Sequence, residues 1–217
     1  MKKFKNTIIC LILLSLIITG VSFMLLSDII PTHIGIDGKP DQFGSKYFLL
    51  LFPLIMAILG LSMILVSKYG KVSDNYRKYS MLTGVIVETI LFVINVVFIV
   101  YSLLYVEDSP GFDISKIIMI VMGLLFIIMS NFMPKIEKNR TLGVKTPWSM
   151  YNEITWQKTH RFAGFVGTIA GVLVLILGCF FKEMINSIIL LSIVILYVVS
   201  ITIASYIYYK KEKEKEL

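Results

Sequence analysis

The sequence predicts an all-α, polytopic membrane protein: a bundle of six transmembrane helices with both termini cytoplasmic. Three observations carry this. The 217 residues are 57% hydrophobic and 16% charged, with a mean hydropathy of +0.83, whereas a soluble domain carries about a quarter charged residues. The apolar residues fall in six long runs, residues 7–26, 47–66, 80–104, 114–133, 162–181 and 185–207. At roughly 1.5 Å per residue each run covers the ~30 Å hydrocarbon layer. Spanning strands would need segments of about 10 residues that alternate polar and apolar, and no run does. Third, the basic residues are lopsided. Lys2, Lys3, Lys5, Lys68, Lys71, Arg77, Lys78, Lys135, Lys138, Arg140, Lys145, Lys158, Arg161, Lys210, Lys211, Lys213 and Lys215 lie at the termini and in the second and fourth loops. The alternate loops hold only Lys39, Lys46, Lys116 and Lys182. Positively charged loops stay cytoplasmic. The formal charge of +7 is therefore a topology signal, with some attraction to anionic lipid heads, and a basic patch alone does not imply direct nucleic-acid binding.

No linker rich in Pro, Gly or Ser and no internal repeat divides the chain, so residues 1–217 read as one membrane domain. Residues 1–133 hold the first four helices and an outer loop, 28–46; residues 134–217 hold a cytoplasmic "TPW" passage and the last two helices.

Taken in order, the first run follows a Lys2-Lys3 start like that of a secretory signal, but its apolar stretch exceeds the ~7–15 residues usual there. Residues 1–23 are expected to stay. Cys10 near the inner end of this span and Cys179 near the outer end of the fifth sit at opposite depths, which excludes a bridge between them; both read as packing residues. The outer loop "IIPTHIGIDGKPDQFGSK" is broken by Gly35, Gly38, Pro40 and Gly44, so no regular helix forms. Its Ile34, Ile36 and Phe43 suggest that it packs over the outer mouth of the bundle. His33, Asp37 and Asp41 would align on a helix at spacings of four, but the glycines and proline forbid that helix. One His with two carboxylates is a weak signature beside dedicated ligand spacings. We therefore expect no metal and no cofactor here, and read the three residues as a folded recognition or structural loop.

In the third span Glu88 lies about eight residues from the cytoplasmic end, and Asn95 follows seven later on the same face. A carboxyl at that depth normally faces the bundle interior. It serves either as a proton or substrate site or as a neutral acid bonded to a neighbouring helix. After the fourth span comes "TLGVKTPWSMYNEITWQKTHRFAG", which gathers both tryptophans with Lys145, Glu153, Lys158, His160 and Arg161. Pro147 stops any upstream helix. Ser149 is read as an N-cap with Asn152 at N3. At about 100° per residue Trp148, Tyr151, Trp156 and Phe162 share one broad face, and Glu153, Gln157 and His160 the other. That is a short helix in the inner interface with its rings at headgroup level, running into the fifth span. It is a lipid anchor or a docking surface for a cytoplasmic partner. In the fifth span Gly164, Gly167, Gly171 and Gly178 form a small-residue seam that lets helices approach closely, within the chain or, through Gly167 and Gly171, in a dimer. Tyr206, Tyr208 and Tyr209 suit an inner aromatic belt, and "KKEKEKEL" is a solvated charge run.

These residues carry a resemblance. "NRTLGVKTPWSMYNEITWQKTHRFAG" is similar to the signature of the SdpI-like immunity proteins, and "IPTHIGIDGKPDQFGSK" resembles a domain of unknown function often found at the start of such proteins. Lys145 stands where that family usually shows Arg, and lysine lacks the planar fork that grips a carboxylate in two places. The resemblance implies a multi-pass protein of a bacterial plasma membrane that protects against a secreted toxic peptide. It also implies a second partner, a small cytoplasmic repressor held at the membrane, for which Asn139, Arg140, Lys145, Trp148, Trp156 and Arg161 are the candidate contacts. The alternative is a small transporter or exporter subunit with Glu88 and Asn95 lining a path. No nucleophile–base pair, zinc-binding helix motif or paired intramembrane aspartates are found, so an enzyme is not expected.

Overall fold

The computed structural model describes residues 1–35, 37, 39–70, 74–105, 113–140 and 142–215. Among these, six helices are long and apolar enough to cross a membrane, as the hydropathy runs predict. They fall into two compact units, Met1–Phe112 and Asp113–Leu217. The fourth helix groups with the last two.

The first unit contains α1 (Lys2–Ser22), strands β1 (Ile29–Ile34) and β2 (Pro40–Ser45), a 3₁₀ turn at Lys46–Leu50, α2 (Leu51–Tyr69) and α3 (Asp74–Leu104). The strands correct the all-helical expectation. The Gly and Pro punctuation of the outer loop excludes a helix, as predicted, but what forms is an antiparallel ribbon, Ile29 opposite Ser45 and Ile30 opposite Gly44. The register shifts between Pro31 and Ile34, beside a proline that offers no ladder donor. Helix α1 stops at Ser22 and not at residue 26, because the chain must turn to enter β1. The base of the ribbon is held by Lys46, whose Nζ donates to the carbonyls of Phe23 (3.3 Å) and Leu26 (3.5 Å) and pairs with Asp28 (3.0 Å).

The ribbon does pack on the helix ends, through a different residue from those expected. Ile30, with Leu26, Leu49 and Ile99, forms one buried cluster. Ile34 is half-buried, Phe43 remains half exposed although its ring lies 5.7 Å from that of Tyr105, and Ile36 lies outside the described residues. Deeper in the unit, Ile8, Ile12, Met56 and Met81 make a second cluster. Between the two, the Asn95 amide donates to Ser15 Oγ (2.7 Å) and Thr19 Oγ1 (3.1 Å). These bonds fasten α3 to α1 where lipid offers no competing partner.

The second unit contains α4 (Ile114–Phe132), a 3₁₀ turn at Met133–Lys135, α5 (Glu153–Phe180) and α6 (Glu183–Lys213). Asp113 caps α4 by accepting from the Ser115 amide (3.1 Å). Ser115 Oγ in turn receives the Glu183 amide (2.9 Å) and the Asn186 side chain (3.0 Å), which anchors the start of α6.

The glycine seam of α5 meets α4 inside the same chain. A Cβ on Gly171 would lie 2.7 Å from the carbonyl oxygen of Gly123. One on Gly164 would lie 2.8 Å from that of Ser130, and one on Gly178 2.6 Å from Met119 Cβ. Gly167 abuts Ser130 Oγ and the Tyr197 ring. This is the close backbone approach that small residues permit. Of the two readings of the seam, the structure shows the one within the chain: Gly167 and Gly171 are buried against neighbouring helices. Cys10 and Cys179 are both free thiols.

Candidate functional site

The "TPW" passage folds into a compact knot around the first turns of α5. Its helix start differs from the one the sequence suggested. Asn152, not Ser149, is the N-cap: its side chain accepts from the Thr155 amide (2.8 Å) while Thr155 Oγ1 accepts from the Asn152 amide (3.1 Å). This is a capping box with Thr in the place usually taken by Glu or Gln. Ser149 instead closes the preceding turn. Its Oγ donates to the Val144 carbonyl (2.6 Å) and accepts from the Thr146 amide (3.0 Å), and its own amide donates to Thr146 Oγ1 (3.0 Å). There is therefore no separate interfacial helix; α5 begins at Glu153 and continues without a break to Phe180.

That shift changes which side chains point inward. Trp156 is fully buried, and its Nε1–H donates to the Ile136 carbonyl at 2.7 Å. His160, one turn later and also fully buried, stacks on the Trp156 ring at 3.9 Å. The sequence reading put these two on opposite faces, Trp156 toward lipid and His160 toward water. Residues four apart share a face, and the face they share is covered by Ile136, Gly143 and Val144. The tautomer follows from the partners. Val144 N–H can only donate, so His160 Nε2 accepts it (3.0 Å), and Nδ1–H donates to the Trp156 carbonyl (2.9 Å). The imidazole is neutral in this arrangement.

Gly143 makes the fold-back possible. Its φ is +116°, and a Cβ there would collide with His160 Nε2 and lie 3.1 Å from the Trp156 ring. Asn139 shapes the turn before it, accepting from the Leu142 amide (2.7 Å) and donating to the carbonyls of Glu137 (2.8 Å) and Leu142 (3.0 Å).

The knot is also tied to the end of α6. Trp148 meets Tyr206 edge-on (5.1 Å), Tyr151 meets Tyr209 (4.9 Å) and Phe162 meets Tyr208 (6.5 Å). Thr146 Oγ1 donates to Ser205 Oγ (2.9 Å), and Lys158 pairs with Glu212 (3.1 Å). Thus the tyrosines expected at a lipid belt have ring partners within the protein.

Of the six candidate docking residues, the structure separates two kinds. Asn139 and Trp156 are buried and hold the knot together. Arg140, Lys145 and Arg161 are exposed, Lys145 Nζ reaching the Arg140 carbonyl (3.4 Å), and Trp148 is half-buried. The sequence reading gave Ser149 another task, as a helix cap, and did not anticipate that Gly143 and Val144 would close over α5. A glycine followed by a "TPW" corner was the available signal.

In the ribbon, pairing across the strands brings His33 Nδ1 to 2.5 Å from Asp41 Oδ1, both side chains more than half exposed. Asp37 is exposed at the turn and accepts from the Lys39 amide (3.2 Å). Among the described residues no group of three or more His, Cys, Asp or Glu side chains is placed to hold a metal ion. In the membrane, Glu88 and Asn95 are both buried, yet Asn95 spends its amide protons on α1.

Comparison with known proteins agrees with the motifs. Residues 135–208 match the SdpI/YfhL protein family and residues 10–57 a domain of unknown function, DUF1648. The chain is 29% identical over 206 residues to the Immunity protein SdpI of Bacillus subtilis (strain 168), across 92% of this chain and 96% of that protein. No solved structure matches it. This is a multi-pass protein of the bacterial plasma membrane, and the segment similar to the SdpI/YfhL family runs from the knot into α6.

Proposed function

We infer that this chain is a non-enzymatic immunity protein, protecting a bacterial membrane from a secreted toxic peptide. The observation that carries this is the likeness to an immunity protein over nearly the whole length of the chain. The termini and the knot face the cytoplasm and the ribbon faces outward, as the basic residues direct. The ribbon, with His33, Asp37 and Asp41 exposed beside one another, is the recognition surface for the peptide. The knot presents Arg140, Lys145, Arg161 and the edge of Trp148 to a small cytoplasmic regulator, while Asn139 and Trp156 set the shape of that surface from within. Toxin binding shifts the regulator's capture only to the extent that one state of the protein holds toxin more tightly.

The test is expression in a susceptible cell exposed to candidate membrane-active peptides. Survival against one peptide supports the reading, and unchanged killing across a broad panel overturns it. For capture, reversing Arg140, Lys145 and Arg161 together to Glu should release a bound regulator while protection persists. Retained capture removes the knot from that role.

A further inference from the structure

Glu88 has no task in the function proposed above, and its surroundings are unusual. It lies on α3 with 1% of its surface exposed, and no side chain among the described residues bonds either oxygen of its carboxyl, which faces the backbone of Gly60. From α1 its neighbours are Ile8 and Ile12, and from α2 Gly60, on whose bare face all three side chains converge. A Cβ at Gly60 would lie 2.9 Å from Glu88 Oε1, 2.7 Å from Ile8 and 3.0 Å from Ile12. No charged side chain from α1, α2 or α3 acts on the carboxyl among those residues. An ionised carboxylate cannot persist there unpaired, since neither lipid nor aliphatic side chains replace its hydration. A carboxylic acid can.

One and two heptads further along the same face of α3 lie Asn95 and Ser102, each buried with an oxygen, Asn95 Oδ1 and Ser102 Oγ, that has no hydrogen-bond partner among the described residues. Opposite them α1 contributes buried Ser15, Thr19 and Ser22. The polar positions therefore run from Glu88 toward the end of the unit that carries the ribbon. Around Glu88 itself Ile8, Ile12, Met56 and Met81 form an apolar cluster, with Ile8 and Met81 toward the other end.

We propose that Glu88 is a proton-binding site buried in the first unit, that the Asn95 and Ser102 face connects it to the ribbon end, and that release of its proton parts α1 and α2 from α3. The occupant is a proton. Bound, it makes the carboxyl neutral and compatible with the Gly60 surface; released, it leaves a charge that only entering water or a separated helix contact can accommodate.

The full chain in lipid nanodiscs supplies the test. Difference infrared spectra of wild type against Glu88→Gln, which keeps shape without ionising, should show a protonated-carboxyl stretch at neutral pH that the substitution removes. The band should shift in deuterium oxide, and Asn95→Leu with Ser102→Leu should slow that shift. With Cys10 and Cys179 replaced by Ser, Met56→Cys should react with a water-soluble maleimide as pH rises and the band is lost. Glu88→Gln should suppress that extra reactivity. Absence of the band from wild type overturns the proposal, as does a carboxylate signal that responds to sodium instead. Maleimide reactivity independent of residue 88 overturns the helix-parting step, and exchange insensitive to the double leucine substitution overturns the route.

Discussion

Replacing Gly143 by Ala tests the knot at its tightest point. Two costs follow from the structure. A φ of +116° is a conformation that L side chains rarely adopt, which costs about 1–3 kcal/mol. The added methyl also collides with His160 Nε2, so the imidazole must withdraw and the Val144 amide loses its acceptor, about 1–3 kcal/mol more if water does not reach it. Together the second unit should lose about 2–6 kcal/mol. Reversible denaturation in mixed micelles, followed by tryptophan fluorescence, reads this directly, because both tryptophans of the chain lie in this segment. The reasoning makes a sharper claim through a double-mutant cycle. His160→Ala removes the group with which the methyl collides but not the backbone strain, so the double variant should be more stable than the sum of the singles by about 0.5–3 kcal/mol. Gly20, where a Cβ would meet nothing within 4 Å, supplies the control, and its change to Ala should be neutral or mildly stabilising. A Gly143→Ala protein as stable as wild type, or a strictly additive cycle, would refute the geometry described for this turn.

Further outcomes are expected elsewhere. Asn152→Ala should cost about 1 kcal/mol as a lost cap and speed hydrogen exchange at the Thr155 amide, while leaving mid-α5 amides protected. Asn95→Leu removes two interhelical bonds and should weaken the first unit by about 0.6–2 kcal/mol, visible as easier cleavage or denaturation of a fragment-resolved assay on α1–α3. Lys46→Met should free the ribbon from the end of α1. Protease sensitivity within residues 28–46 is the readout, and an unchanged digestion pattern would mean that Ile30 alone holds the ribbon. Gly171→Leu should separate α4 from α5 and lower thermal stability more than the same change at exposed Ile176.

The six spans were legible because hydropathy acts locally: twenty apolar residues in a row leave the backbone little choice in lipid. Asn95 facing a neighbouring helix was legible for the same reason, since a buried amide must find partners. The ribbon was half legible. Gly35, Pro40 and Gly44 exclude a helix, but strand pairing depends on which residue faces which, and nothing adjacent in sequence states that Ile30 will lie opposite Gly44. Trp156 and His160 were misplaced for a further reason. A helical wheel assigns faces but not what covers them, and the cover here is Ile136, Gly143 and Val144, the glycine in an unusual conformation. Reading Asn152 and Thr155 as a capping pair would have placed the helix start correctly and put Trp156 one turn inside it.

The ties between the knot and the end of α6 have a consequence for synthesis. Thr146 waits for Ser205, 59 residues later, and Lys158 for Glu212, 54 residues later. At roughly 5–20 residues per second a ribosome needs about 3–12 s to deliver those partners. Throughout that interval Trp148 and Tyr151 are uncovered. A chain cut short before Ser205 would lack both partners, and the knot would then be held only by its own turn and capping bonds.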